Sequence, residues 1–67
     1  MPNVGDNIKA ARIAQGWSES EAARAIGMDS AHYSRIERGG VDPLISTLER
    51  IAVGLDISIA DLLEGVD

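Results

Sequence analysis

The chain has 67 residues, a formal net charge of −5, 45% hydrophobic residues and no cysteine. That length allows one small domain (1–67) near the lower limit for a self-sufficient core, burying about 60% of the surface its unfolded chain exposes. Without cysteine, neither a disulfide framework nor a thiolate metal site can be built. No stretch approaches the ~18 apolar residues of a membrane span, and no basic N-terminal region leads into an apolar run, so a cytoplasmic protein without membrane attachment is expected.

Asn3 can cap a first helix in which Val4, Ile8, Ala11 and Gln15 share one face and which Gly16 ends. Ile13 points the other way, as single exposed isoleucines ordinarily do. Trp17 stands between Gly16 and the capping Ser18, where a hydrophobic staple sits, and packing on the core is expected of it rather than stacking on bases. Ser18-Glu19-Ser20-Glu21 is a capping box, so a second helix starts there, runs through Ala22, Ala23 and Ile26, and stops at Gly27. Glu19 and Glu21 read as first-turn acids that offset the macrodipole. Asp29 then caps a third helix, about 29–38, that ends at Gly39.

At about 100° per residue the third helix divides in two. Tyr33, Ile36 and Glu37 fall on one side, while Ser30, Ala31, Ser34, Arg35 and Arg38 fall within an arc of about 140° on the other. The second side is the outward one: it carries hydroxyls near its start, two guanidinium groups further along, and no carboxylate. Hydroxyls and guanidinium groups on a helix suit the major groove, where they can read base edges or hold phosphates. His32 lies at the edge of this helix, and as the only histidine it has no N or S partners for a metal, which leaves a phosphate contact or a plain flanking residue.

The loop Gly40-Val41-Asp42-Pro43 offers no positive charge. Pro43 leads into a fourth helix, about 43–55, whose Leu44, Ile45, Leu48, Ile51, Ala52 and Leu55 form an apolar stripe about 120° wide, expected to be the main wall of the core. Asp56 takes the terminating position, where the left-handed conformation suits it less well than glycine. Ser58 caps a last helix, about 58–64, with Ile59, Leu62, Leu63 and Val66 in a stripe about 100° wide. Part of that stripe must pack on the fourth helix, and two-fold pairing of two chains through the remainder is expected, which makes these four residues the candidate dimer interface.

Charge is distributed unevenly. Residues 1–41 carry five basic and five acidic side chains, whereas residues 42–67 carry Arg50 against six acids. One end can therefore face DNA while the acidic end stays away from it.

The ordered set Ile8, Arg12, Gly16, Ser18, Glu21, Ala23, Gly27, Ser34-Arg35-Ile36-Glu37-Arg38-Gly39, Pro43, Thr47-Leu48, Ile51-Ala52, Leu55, Ser58 and Leu62-Leu63 resembles the lambda-repressor-like, Cro-type (XRE) helix-turn-helix regulators over about residues 4–64. The resemblance implies an all-α, compact five-helix domain with its helix-turn-helix at about 18–39. It also implies that Arg12 pairs with Glu37, a structural ion pair, and that Ser30, Ala31 and Arg35 fall at the base-reading positions. Glu19, His32, Ser34 and Arg38 are then the candidates for the phosphate backbone. The chain departs from the family at Trp17, where leucine is common, at the uncharged Gly40-Val41 loop, and at Glu19, where glutamine usually donates to a phosphate. A glutamate there repels phosphate, so weak or strongly salt-sensitive DNA binding is expected.

No nucleophile with a paired base, no glycine-rich phosphate loop and no metal cluster can be assembled from these residues, so neither an enzyme nor a cofactor is expected. With Trp17 and Tyr33 the only aromatics, no interleaved aromatic and basic surface exists for single strands. The leading expectation is a sequence-specific regulator of double-stranded DNA, repressor-like and homodimeric. The alternative is the same fold used as a protein-interaction module, with a toxin or another regulator as partner, which the acidic C-terminal part favours and the carboxylate-free face carrying Arg35 and Arg38 opposes.

Overall fold

Every helix in the structure begins where the sequence sets a polar side chain, or an extended residue, ahead of an apolar run. The computed structural model describes residues 3–66, which form α1 (Val4–Gln15), α2 (Glu19–Ile26), α3 (Ser30–Glu37), α4 (Ile45–Leu55) and α5 (Ile59–Leu62), with no strand among them. Asn3 does more than a simple cap: its Oδ1 accepts from the amide of Asp6 at 3.0 Å while Asp6 Oδ2 accepts from the amide of Asn3 at 3.1 Å. The box at Ser18 and Glu21 closes in the same way, at 3.1 and 2.8 Å. Asp29 and Ser58 accept from the amides of His32 and Asp61. Asp56 ends α4 with φ of 58°, the one described residue other than glycine in the left-handed region. No helix of the described residues is long and apolar enough to cross a membrane.

The core gathers Ile8 from α1, Ala22, Ala23 and Ile26 from α2, Tyr33 and Ile36 from α3, Leu48, Ile51, Ala52 and Leu55 from α4, and Leu62 from α5. Trp17 packs against its edge, as do Val4, Ala11, Met28, Val41 and Ile57. Two expectations need correction. Leu44 and Ile45 are 73% and 65% exposed rather than part of the core wall. Leu44 is the N-cap, with extended backbone, so the helical periodicity that would have turned it inward begins one residue later; Ile45 starts that helix at the margin of the stripe. The second correction concerns Leu62, which is fully buried in the chain's own core and is not available to a dimer interface. Ile59 and Leu63, 36% and 38% exposed, are the outward members of that stripe, with Val66 half-buried beside them.

Two glycines set how closely the helices approach. A Cβ on Gly5 would lie 2.5 and 2.6 Å from the carbonyl oxygens of Glu37 and Ile36, so α1 seats directly on the last turn of α3. A Cβ on Gly54 would lie 2.6 Å from Ile26 Cγ1, which fixes α4 against the end of α2. Neither was assigned a role from sequence. A glycine inside a helical pattern is the signal that marks such approaches.

Candidate nucleic-acid interface

The inner face of α3 is fixed before its outer face can be used. Tyr33 and Ile36 are fully buried, and Glu37 is nearly so. Arg12 reaches Glu37 with a two-pronged contact, Nε donating to Oε2 at 3.0 Å and Nη2 to Oε1 at 2.9 Å, while Nη1 donates to the carbonyl of Trp17 at 2.9 Å. The two side chains are 12% and 3% exposed. One guanidinium therefore ties α1, the α1–α2 corner and the end of α3 together, with the planar geometry that makes such pairs strong.

The electrostatics of this cluster follow from burial and that pair. Burial acts to raise the Glu37 pKa, but the Arg12 hydrogen bonds, the Tyr33 hydroxyl and the charges of Arg12 and Lys9 outweigh it, and Glu37 titrates below its ordinary 4.5. The hydrogen bond from Arg12 to Glu37 holds Arg12 above its own ordinary value. Tyr33 is pushed up by burial and by the Glu37 charge, and stays a neutral phenol. Its buried hydroxyl lies close enough to feel that carboxylate but has no hydrogen-bond partner.

A depressed carboxylate stabilises the fold above its unfolded pKa and loses that contribution as pH falls. The thermal midpoint is therefore expected to be independent of Glu37 above about pH 4.5 and to fall as pH drops below it. In Glu37→Gln that part of the acid dependence is expected to vanish, and circular dichroism melts at a series of pH values read it directly. An acid limb of equal slope in both proteins would mean that other carboxylates set it.

The turn between α2 and α3 is held from outside. Gly27 takes φ of 81°, its amide and that of Met28 bond back into α2, and Arg50 of α4 donates from Nη2 to the Gly27 carbonyl at 2.9 Å. From sequence, Arg50 is only the lone positive charge of residues 42–67. Its donation satisfies a carbonyl at the end of α2 and ties the turn to α4.

On the outer face, Ser30, Ala31, His32, Arg35 and Arg38 are all exposed. Ser30, Ala31 and Arg35 lie on α3, and Arg38 caps its end. Among the described residues the only ion pair is that of Arg12 with Glu37, so Arg35 and Arg38 keep their charges free. Two of the phosphate candidates behave differently: the Ser34 hydroxyl donates to Glu19 Oε1, and both residues are half-buried. The structure turns them toward each other across α2 and α3. The loop after α3 adds no cation, with Val41 packed on the core and Asp42 exposed. What results is a convex helix face with two free guanidinium groups, a hydroxyl at its start and one internally occupied hydroxyl midway.

The sequence pattern of the helix-turn-helix family matches residues 8–62. The chain is 37% identical over 62 residues to the HTH-type transcriptional regulator SinR of Bacillus subtilis, covering 91% of this chain and 56% of SinR. It is 36% identical over 60 residues to the HTH-type transcriptional regulator SutR of Escherichia coli, covering 90% of this chain and 34% of SutR. It spans between 29% and 59% of the length of the curated relatives it matches. Among solved structures it superposes on the restriction-modification controller protein C.AhdI of Aeromonas hydrophila with a TM-score of 0.84 at 27% identity, covering 88% of this chain and 89% of that one. The hypothetical transcription factor NHTF of Neisseria gives a TM-score of 0.85 at 32% identity, covering 90% and 69%. With this match over most of its length, five helices in the expected order and a helix-turn-helix carrying its free cations outward, the chain belongs to the XRE-type helix-turn-helix family.

Proposed function

We propose that this chain is a sequence-specific reader of double-stranded DNA that acts as a repressor-like, homodimeric regulator, with α3 in the major groove. The observation that carries this reading is the outer face of α3, where Arg35 and Arg38 are exposed and free of any carboxylate partner while the inner face is locked by Arg12 and Glu37. A rigid helix with free guanidinium groups suits direct readout. Ser30 can donate to or accept from a base edge, Ala31 can touch a thymine methyl, and Arg35 can form a two-pronged contact with guanine. Arg38 and His32 take the phosphate flank. Ile59 and Leu63 supply apolar surface for two-fold pairing, which would place half-sites about 34 Å apart.

Selection from a random duplex library at low salt tests this, run in parallel on the native chain and on Arg35→Ala. The native chain is expected to enrich a two-fold-symmetric site. Arg35→Ala is expected to lose information at one base pair per half-site, the equivalent of about 1 to 3 kcal/mol of discrimination. Enrichment of nothing by the native chain at low salt would overturn the reading and turn attention to protein partners.

A further inference from the structure

We infer that Glu19 is an internal stand-in for a DNA phosphate, holding the Ser34 hydroxyl until a duplex displaces it. The inference rests on the proposed placement of α3 on DNA and adds a self-masking contact to it. Ser34 lies midway along the outer face of α3, in the row that runs from Ser30 to Arg38, and its hydroxyl donates to Glu19 Oε1. A hydroxyl has one proton to give, so Ser34 cannot serve Glu19 and a phosphate oxygen together.

Glu19 is well suited to compete. Its carboxylate oxygen is an acceptor of the same kind as a phosphate oxygen, anionic and open to a hydroxyl donor. No cation bonds to it directly, since the one ion pair among the described residues is Arg12 with Glu37, although the Arg12 charge acts on it from a distance. Nor is it the capping acid of α2, since Glu21 performs that task by accepting from the amide of Ser18. Glu19 is half-buried, with its carboxylate set against Ser34 of α3. The free protein thus carries on its DNA face an anion already bonded to one of the groups that phosphate would use. Duplex binding must exchange one anion for the other.

Simple repulsion by Glu19 would weaken binding whether or not Ser34 is present, whereas masking acts through Ser34. The two are separated by a double-mutant cycle on Glu19→Ala and Ser34→Ala, read as the affinity for a short random-sequence duplex at low salt, with the near-ultraviolet signal of Trp17 confirming the fold of each variant. Ser34→Ala is expected to change affinity little in the native background. In the Glu19→Ala background it is expected to weaken binding about threefold to tenfold, the range that one net hydrogen bond supplies. Equal effects of Ser34→Ala in the two backgrounds would overturn the masking role. Arg35→Ala with Arg38→Ala serves as the reference arm. If that pair lowers affinity while the cycle is additive, the masking contact alone is lost; if the pair changes nothing, α3 is not the DNA-facing element and both readings fall.

Discussion

Replacing Arg12 by methionine is expected to destabilise the domain by about 3 to 5 kcal/mol, the usual cost of stranding one member of a buried ion pair. The Glu37 carboxylate, 3% exposed, would keep its charge with no guanidinium to meet it, and the carbonyl of Trp17 would lose its donor. For a chain of this size, whose whole stability is on the order of 3 to 10 kcal/mol, that is a large fraction. Urea denaturation of the single variant and of Arg12→Met with Glu37→Met separates the causes. The double variant is expected to recover most of the loss, because it buries no unpaired charge. The pH dependence of the single variant should also reverse. Without Arg12, burial, the largest influence on Glu37, is opposed only by the Tyr33 hydroxyl and the Lys9 charge, so its folded pKa is expected to rise and stability to increase as pH falls and the carboxyl becomes neutral. A denaturation midpoint that Arg12→Met leaves unchanged would show that the pair contributes nothing to the fold.

Gly5→Ala is the second large effect, and it acts on position rather than charge. The added methyl would meet the carbonyl oxygens of Glu37 and Ile36 at 2.5 and 2.6 Å, and neither backbone group can swing aside as a side-chain end can. To accept it, α1 and the last turn of α3 must separate, at about 1 to 3 kcal/mol for forced overpacking. Gly54→Ala is the informative contrast. Its nearest neighbour is Ile26 Cγ1 at 2.6 Å, part of a side chain that can rotate in part, although Ile26 Cα at 3.0 Å limits the relief. Thermal denaturation is expected to place Gly5→Ala below Gly54→Ala, and equal midpoints would mean that the α1–α3 seat is soft.

The order of the five helices and the ends of α1, α2 and α3 were legible because local chemistry sets them, whereas α4 starts later, at Ile45, and α5 stops earlier, at Leu62, than expected. Ser18 with Glu21, Gly27, Asp29 and Ser58 each act within four residues of their partners, and a capping side chain or a left-handed glycine can be recognised without knowing the tertiary fold. The partition of α3 into Tyr33, Ile36 and Glu37 against Ser30, Ala31 and Arg35 was legible for a similar reason, since helical periodicity alone fixes it. What periodicity cannot supply is where a helix begins to be helical, and Leu44 was misplaced on that account. It equally cannot tell which member of an apolar stripe the chain's own core takes, and Leu62 went to the wrong side of that division. The bond between Glu19 and Ser34 joins residues fifteen apart and needed two helices in register before it could be seen. Gly5 and Gly54 became meaningful only when the neighbouring backbone was in place.

Arg50 is one of three side chains that reach across the sequence to the carbonyls that helices leave open at their ends. Arg50 serves the end of α2, Gln15 of α1 donates to the Leu55 carbonyl at the end of α4 at 2.9 Å, and Asn7 donates to the carbonyls of Leu62 and Glu64 at 2.8 Å each, closing α5. Helix ends are ordinarily where a small protein frays, opening and closing many times before the whole molecule does. Here those ends are spliced to α1 and α4 over separations of 23, 40, 55 and 57 residues. A four-residue helix such as α5 has no standing of its own, and its amides are expected to gain protection from exchange only while both α1 and α4 are in place to receive it. Opening at one terminus is thereby expected to be felt at the other, so that the domain melts as one cooperative unit.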